Sequence, residues 1–228
     1  MELFYVNPQN VSSESLLLDD FESKHLLKTL RKKIGDSVDV TDGKGRHLKG
    51  RIMTVKPKCK IAIESSREIK QEGRRISLGI SFIRPNRLEL VLEKCTELGI
   101  NSFYLFRSIH ANYFSNNHDR FEKILRQAIK QSNRFFIPEL YLLPDFDSFI
   151  AKTMQITCKI AAIDPKSPSI TTVKQTNEDV LFCVGPEGGF SDNEVALLKE
   201  NHFIDVSLGA YRLRAETAAI AGISKLII

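Results

Sequence analysis

No stretch of the 228-residue chain approaches the run of about 18 apolar residues that a membrane-spanning helix requires. The start, Met1-Glu2-Leu3-Phe4-Tyr5, lacks the basic region and apolar block of a secretion signal. Both absences predict a protein that stays in the cytoplasm. The four cysteines, Cys59, Cys95, Cys158 and Cys183, include no C-x-x-C pair, and the five histidines form no ligand-spaced cluster. Neither a disulfide framework nor a structural metal is therefore expected. Cys95 and Cys183 sit in apolar segments, where cysteine packs as a small hydrophobe. Repeats and low-complexity segments are also missing, which leaves one large globular domain or two modest ones.

What is present begins with charge. The net charge is +5, a mild value, but its distribution is uneven. From Gly43 to Ile63 the chain carries Lys44, Arg46, Lys49, Arg51, Lys56, Lys58 and Lys60 without one acidic residue. Two readings stand at this point: a hairpin edge protected by lysines, or a surface for a polyanion. A second basic surface favours the latter. A helix over Asp119–Arg134 would bury Phe121, Ile124, Leu125, Ala128 and Ser132. Its other face would offer Arg120, Lys123, Arg126, Gln127, Lys130 and Arg134. Two cationic surfaces suit a large RNA better than a small metabolite.

Short β-prone runs fill the first seventy residues: Leu3–Val6, Ser37–Thr41, His47–Val55 and Lys60–Ser65, with one helical stretch at Glu22–Lys33. Asp42-Gly43 between two of them signals a hairpin, and many short strands in few residues predict a small barrel. The charged stretch Arg67–Arg75 reads as a linker between domains at 1–70 and 74–228. Beyond it strands and helices alternate, from Ile76–Ile83 and a helix at Asn86–Leu98 to a last helix starting near Leu213. Asn86 and Glu89 form a candidate capping pair there, and Gly99 a candidate stop. Such alternation predicts a mostly parallel sheet covered by helices.

Chemistry concentrates in two loops. Val184-Gly185-Pro186-Glu187-Gly188-Gly189-Phe190 separates an apolar strand from a helix that Ser191 and Glu194 mark as a capping box. A glycine-rich loop at the carboxyl end of a parallel strand is where open α/β sheets bind ligands. Neither phosphate-loop signature is present, and Glu187 would repel a phosphate. Glycines, a proline and a carboxylate suit a cationic or hydroxyl-rich ligand such as S-adenosylmethionine; a tight structural turn explains the glycines equally well. Leu208-Gly209-Ala210-Tyr211-Arg212-Leu213-Arg214-Ala215-Glu216-Thr217 repeats the order strand, glycine, helix. Arginines near a helix start oppose its dipole, so Arg212 and Arg214 are candidates for function, with an internal ion pair as the alternative.

The two loops in this order resemble the RsmE family of 16S rRNA (uracil(1498)-N(3))-methyltransferases, within the SPOUT superfamily. So do His25-Leu26-Leu27-Lys28-Thr29-Leu30-Arg31, Glu93-Lys94-Cys95-Thr96-Glu97-Leu98-Gly99, and Gln131-Ser132-Asn133-Arg134 with Pro138. The five motifs span the whole chain. The resemblance implies a PUA-like barrel followed by a SPOUT domain whose carboxyl-terminal segment is tied in a trefoil knot, an exception to unknotted topology. It implies S-adenosylmethionine bound by Ile163, Val184, Gly185, Pro186, Glu187, Gly188, Gly189, Leu208, Gly209, Arg212, Leu213 and Thr217. Arg212 departs from the family pattern, where an aliphatic residue is common.

The same resemblance implies methylation of N3 of a specific uridine in 16S rRNA, on the 30S subunit. Arg214 would stabilise the uracil anion, and Glu216 or Glu187 would accept the proton or orient the groups. RNA contacts are expected from Arg31, Lys44, Arg46, Lys49, Arg51, Arg84, Lys94, Gln131 and Arg134, with no metal involved. It also implies a homodimer, and the last helix, apolar nearly all round over Ala215–Ile228, needs cover on every side. Alternatives are another SPOUT enzyme acting on a tRNA base or a ribose 2′-oxygen, a non-catalytic ribosome-assembly factor, and a small-molecule methyltransferase.

Overall fold

The computed structural model describes residues 2–173 and 178–227. The chain divides into two compact units: Met1–Glu72 with Arg126–Ile137, and Gly73–Leu125 with Pro138–Ile228.

The first unit is a five-stranded sheet in the order β1-β3-β4-β5-β2. Its strands are β1 (Leu3–Tyr5), β2 (Ser15–Leu17), β3 (Ser37–Thr41), β4 (Arg46–Thr54) and β5 (Lys60–Glu68). Period-two patterning sets its faces: Leu48, Gly50 and Ile52 of β4 point inward while Lys49, Arg51 and Met53 point out. The core collects Phe4, Leu16, Leu26, Val40, Leu48, Ile52 and Ile61. The Asp42-Gly43 hairpin forms as expected. The Asp42 carboxylate accepts from the Lys44 and Arg46 amides and from Arg46 Nε at 2.6 Å.

The helical stretch of this unit is shorter than expected. Helix α1 covers Asp20–Lys24 and runs into one π-helical turn at His25–Thr29. It begins where the Asp19 side chain accepts the Glu22 amide, two residues before the sequence places it. Strand β2 follows no clear alternation in the sequence and was not expected.

The second unit contains a six-stranded parallel sheet in the order β11-β9-β10-β6-β7-β8. Its strands are β6 (Ile76–Ser81), β7 (Ser102–Phe106), β8 (Glu139–Leu143), β9 (Cys158–Ala162), β10 (Val180–Val184) and β11 (Ile204–Asp205). Helices α2 (Pro85–Leu98), α3 (His118–Gln131), α4 (Phe146–Thr153), α5 (Asp192–Glu200) and α6 (Ala215–Ile227) complete the chain, and the carboxyl-terminal part of α3 is counted with the first unit. Strands β6, β7 and β10 are buried along their whole length, which both-sided cover of a parallel sheet demands. Leu181 and Cys183 face a cluster with Phe106, Phe149, Leu198 and Phe203, while Phe182 faces α6.

Two helix starts separate expectation from structure. Helix α5 carries the capping box: the Glu194 amide donates to Ser191 Oγ, and the Ser191 amide donates back to Glu194 Oε2 at 2.8 Å. Helix α2 has no such box. Arg84 is its N-cap and Pro85 its first residue, with no side-chain cap. Proline presets the helical φ and has no N–H to satisfy, so Asn86 is left exposed and Glu89 pairs with Arg120 instead. Gly99, at φ 118°, ends α2 as expected.

Helix α6 lies close against β10. A Cβ at Gly222 would stand 2.1 Å from Phe182 Cε1, so only glycine permits this approach. Its buried residues are Ala215, Glu216, Ala218, Ala219, Gly222, Ile223 and Leu226. Cover on every side is thus not what its own unit supplies: Ile220 and Ala221 are half-buried and Ile227 is exposed. No helix among the described residues is long and apolar enough to cross a membrane. The four cysteines are free, three of them buried.

Candidate cofactor site

The sheet order reverses between β6 and β10. From β6 the chain builds outward through β7 and β8, then returns on the other side through β9, β10 and β11. Loops leaving the carboxyl ends of neighbouring strands diverge at such a point and open a crevice. On one side of that point three loops, after β9, β10 and β11, line a cavity of about 580 Å³ at the carboxyl ends of their strands. That size falls in the range of small-molecule and cofactor sites.

Each wall has a local cause. The turn after β10 closes where the Gly189 amide donates to the Pro186 carbonyl at 2.9 Å, with Gly189 at φ 78°. Val184, Gly185 and Pro186 are buried beneath it. After β11, Ser207 Oγ donates to the Gly209 carbonyl, and Lys225 Nζ of α6 reaches the Leu208 carbonyl at 2.9 Å. The third wall, Ala162–Pro165, is fixed from β11. The Asp205 carboxylate accepts from the Ile163 and Asp164 amides and from Ser167 Oγ at 2.7 Å. Strand β11 is only two residues long because the backbone beyond it turns to another segment: the Ser207 amide donates to the Pro168 carbonyl and the Ile170 amide to the Ser207 carbonyl.

Of the residues the sequence assigned to a cofactor, Ile163, Val184, Gly185, Pro186, Glu187, Gly189, Leu208, Gly209, Arg212 and Leu213 all line this cavity. Gly188 and Thr217 lie outside its lining. Gly188 packs against His110, whose Nδ1 lies 3.1 Å from the Gly189 carbonyl. Thr217 is exposed on the first turn of α6.

The three candidate catalytic residues separate in the same way. Arg214 is exposed and lines the cavity, as does half-buried Glu187. Glu216 is buried and turned away from it. Its Oε1 lies 3.4 Å from Arg87 Nε, and Arg87 Nη1 lies 3.4 Å from Glu187 Oε1. Arg212 Nη2 donates to the Glu187 carbonyl at 3.3 Å, joining the loops after β10 and β11.

Sequence reasoning missed Arg87 and Asp205. Arg87 carried a usable signal, since it opposes the dipole at the start of α2 as the later arginines do at α6. Asp205 carried none, because an aspartate at a strand end is ordinary.

Several expected RNA contacts are committed elsewhere. In the first unit Arg46 pairs with Asp42, and Arg51 pairs with Glu64 at 2.6 Å. Burial lowers the pKa of Arg134, and Lys130 is nearly enclosed against Glu22. Arg31, Lys44, Lys49 and Gln131 are exposed. In the second unit, hydrogen bonds to Glu93 and Glu97 raise the Lys94 pKa. A hydrogen bond to Tyr113 does the same for exposed Arg84. No group of three or more potential metal ligands occurs among the described residues.

A crevice at the carboxyl ends of three parallel strands, walled by a glycine-proline-glutamate turn and an arginine-bearing helix start, defines a nucleotide-type cofactor site. The chain belongs to the RNA methyltransferase domain family, whose match runs over residues 70–227. Within it, the chain is similar to the ribosomal RNA small subunit methyltransferase E of Rickettsia conorii, 25% identical over 97% of this chain and 93% of that one. The crystal structure of a protein of the same name from Neisseria gonorrhoeae, bound to S-adenosyl methionine, shares the fold. Its TM-score is 0.88 and its identity 26%, over 98% of this chain and 95% of that one. A Legionella pneumophila methyltransferase structure with the bound cofactor SAM gives a TM-score of 0.90 at 26% identity, over 99% and 96% of the two chains.

Proposed function

We propose that the protein transfers a methyl group from S-adenosylmethionine to N3 of one uridine in 16S rRNA, on the 30S subunit, in the cytoplasm. The observation that carries this is the three-loop cavity, two of whose loops are the motifs at 184–190 and 208–217, in a chain that matches rRNA small subunit methyltransferase E over nearly its whole length. The cavity residues suit the cofactor. Ile163, Leu208, Leu213 and Ala218 offer apolar surface to a base and a thioether chain. Glu187 and Asp164 offer negative charge to a sulfonium.

When bound, S-adenosylmethionine supplies an electrophilic methyl group. The chain's own residues then have two tasks. Uracil keeps its N3 proton at neutral pH, so a base must take it and a cation must stabilise the anion. Arg214, exposed at the cavity, neutralises the developing charge on the uracil oxygens in this reading. Glu187 lines the same cavity and is the better proton acceptor of the two glutamates, directly or through water. Glu216, buried at the start of α6, orients instead. Positioning supplies the rest of the rate.

The finer architecture follows the same reading. The first unit is a PUA-like barrel that docks RNA through Lys44, Lys49 and their neighbours, and the second is a SPOUT domain with a carboxyl-terminal trefoil knot. The protein acts as a homodimer, with Ile227 and the half-buried face of α6 covered by a second copy. The target base lies in a loop or is flipped out, since its pairing edge must be reached.

Transfer of labelled methyl to 30S subunits that lack the modification tests the reading, with the product nucleoside identified. 3-Methyluridine at one site is expected. Label in tRNA or on a ribose oxygen would replace this function by that of another SPOUT enzyme, and no cofactor binding at all would leave an assembly factor.

A further inference from the structure

Resting on that reading, we propose that Arg87 is a positioning residue for methyl transfer, acting through Glu187 and Glu216 without touching the substrate. Three segments far apart in sequence meet at its guanidinium: the start of α2, the turn after β10 and the first turn of α6. Nη1 faces the Glu187 carboxylate and Nε the Glu216 carboxylate, each at 3.4 Å, with the Arg87 side chain 26% exposed.

A single cation between two carboxylates is a poor choice for stability alone. It is shared between two acids, and Glu216 Oε2 is buried without a hydrogen-bond partner among the described residues. Replacing such buried ionic groups by apolar ones is often neutral or stabilising. The planar fork does suit holding two carboxylates in fixed directions at once, because its donors point along set lines. One of those carboxylates, Glu187, lines the cavity. The other belongs to the helix turn that follows Arg214 directly. Arg87 thereby fixes the spacing between the acid-base loop and the arginine-bearing loop from a site behind both. Misplacing either by about 1 Å can cost on the order of 100-fold in rate.

The test compares Arg87→Met, Arg87→Lys and the double variant Arg87→Met with Glu216→Gln, using full-length protein and 30S subunits lacking the modification. Arg87→Met is expected to lower kcat by roughly 10- to 100-fold, while the Kd for S-adenosylmethionine, measured by calorimetry, changes less than about threefold. Arg87→Lys should recover only part of the loss, since a point charge cannot face two carboxylates in the same geometry. The double variant no longer buries an unpaired carboxylate. It should regain the wild-type melting temperature while its kcat stays low. Adding Glu187→Gln to Arg87→Met should cost little more, because the two act as one unit.

A purely structural role predicts otherwise: full kcat per folded molecule in Arg87→Met, or full recovery of kcat in Arg87→Lys. Either result overturns the proposal. Absence of methyl transfer by the wild-type protein would instead overturn the function on which the proposal rests.

Discussion

Replacing Lys130 by methionine tests how the first unit holds its helical segments. Lys130 Nζ lies 2.6 Å from Glu22 Oε1, with side chains only 9% and 4% exposed. Exposed ion pairs contribute about 0–1 kcal/mol, but removing one partner of a buried pair leaves the other charge without compensation and costs about 3–5 kcal/mol. Glu22 can escape part of that cost by taking a proton. Burial already raises its pKa, against the hydrogen bond and charge of Lys130, which lower it. Without Lys130 the pKa rises further.

A carboxyl group whose folded-state pKa lies above its unfolded value favours folding when protonated. That stabilisation is complete below the unfolded pKa and is lost as pH rises through the folded one. The penalty in Lys130→Met is therefore expected to grow from pH 5 to pH 8, by at most about 1.4 kcal/mol per pH unit for one proton. Urea unfolding followed by circular dichroism at the two pH values reads it as a lower midpoint, more so at pH 8. Glu22→Gln combined with Lys130→Met should restore most of the midpoint and flatten the pH dependence. A penalty in Lys130→Met that is absent, or equal at both pH values, would refute the reasoning.

Two further substitutions probe the seat of α6 and the loop after β9. Gly222→Ala adds a Cβ 2.1 Å from the buried Phe182 ring, so ring or helix must move by more than an ångström. Overpacking of about 3 kcal/mol, less the roughly 1 kcal/mol helix gain of alanine, leaves about 2 kcal/mol of destabilisation. A melting temperature 4–8 °C lower is then expected, at about 2–4 °C per kcal/mol, and an unchanged one would show that α6 slides freely. Asp205→Ala removes the acceptor of three hydrogen bonds that fix Ile163–Ser167. Calorimetry should show S-adenosylmethionine binding weakened about tenfold, equivalent to roughly 1.4 kcal/mol, with Asp205→Asn closer to wild type. Equal affinity of all three proteins would remove that loop from the cofactor site.

Legibility in the sequence followed locality. Gly99 ends α2 and Ser191 with Glu194 starts α5 as expected, because a cap is made within one turn of chain. The start of α2 misled because Asn86 and Glu89 have the right spacing while Pro85, one residue earlier, makes a cap unnecessary. The two motif loops were legible as loops, and their strand-glycine-helix order predicted that they would share one side of a sheet. Nothing local could show that Gly188 turns toward His110, or that the first turn of α6 points Glu216 at Arg87 and leaves Thr217 exposed.

By itself, then, the sequence determined the alternation of strands and helices, the glycine turns and the chemical kinds of group at the ends of β9, β10 and β11. Those depend on periodicity and on backbone preferences of neighbouring residues. Only the tertiary structure decided the strand order that brings the three loops together. It also decided the Asp205 anchor, the Arg87 contacts and the pairing that encloses Lys130 and partly occupies Arg51. Each depends on which distant segments burial and charge bring into contact, and a one-dimensional pattern does not encode that choice until the core is packed.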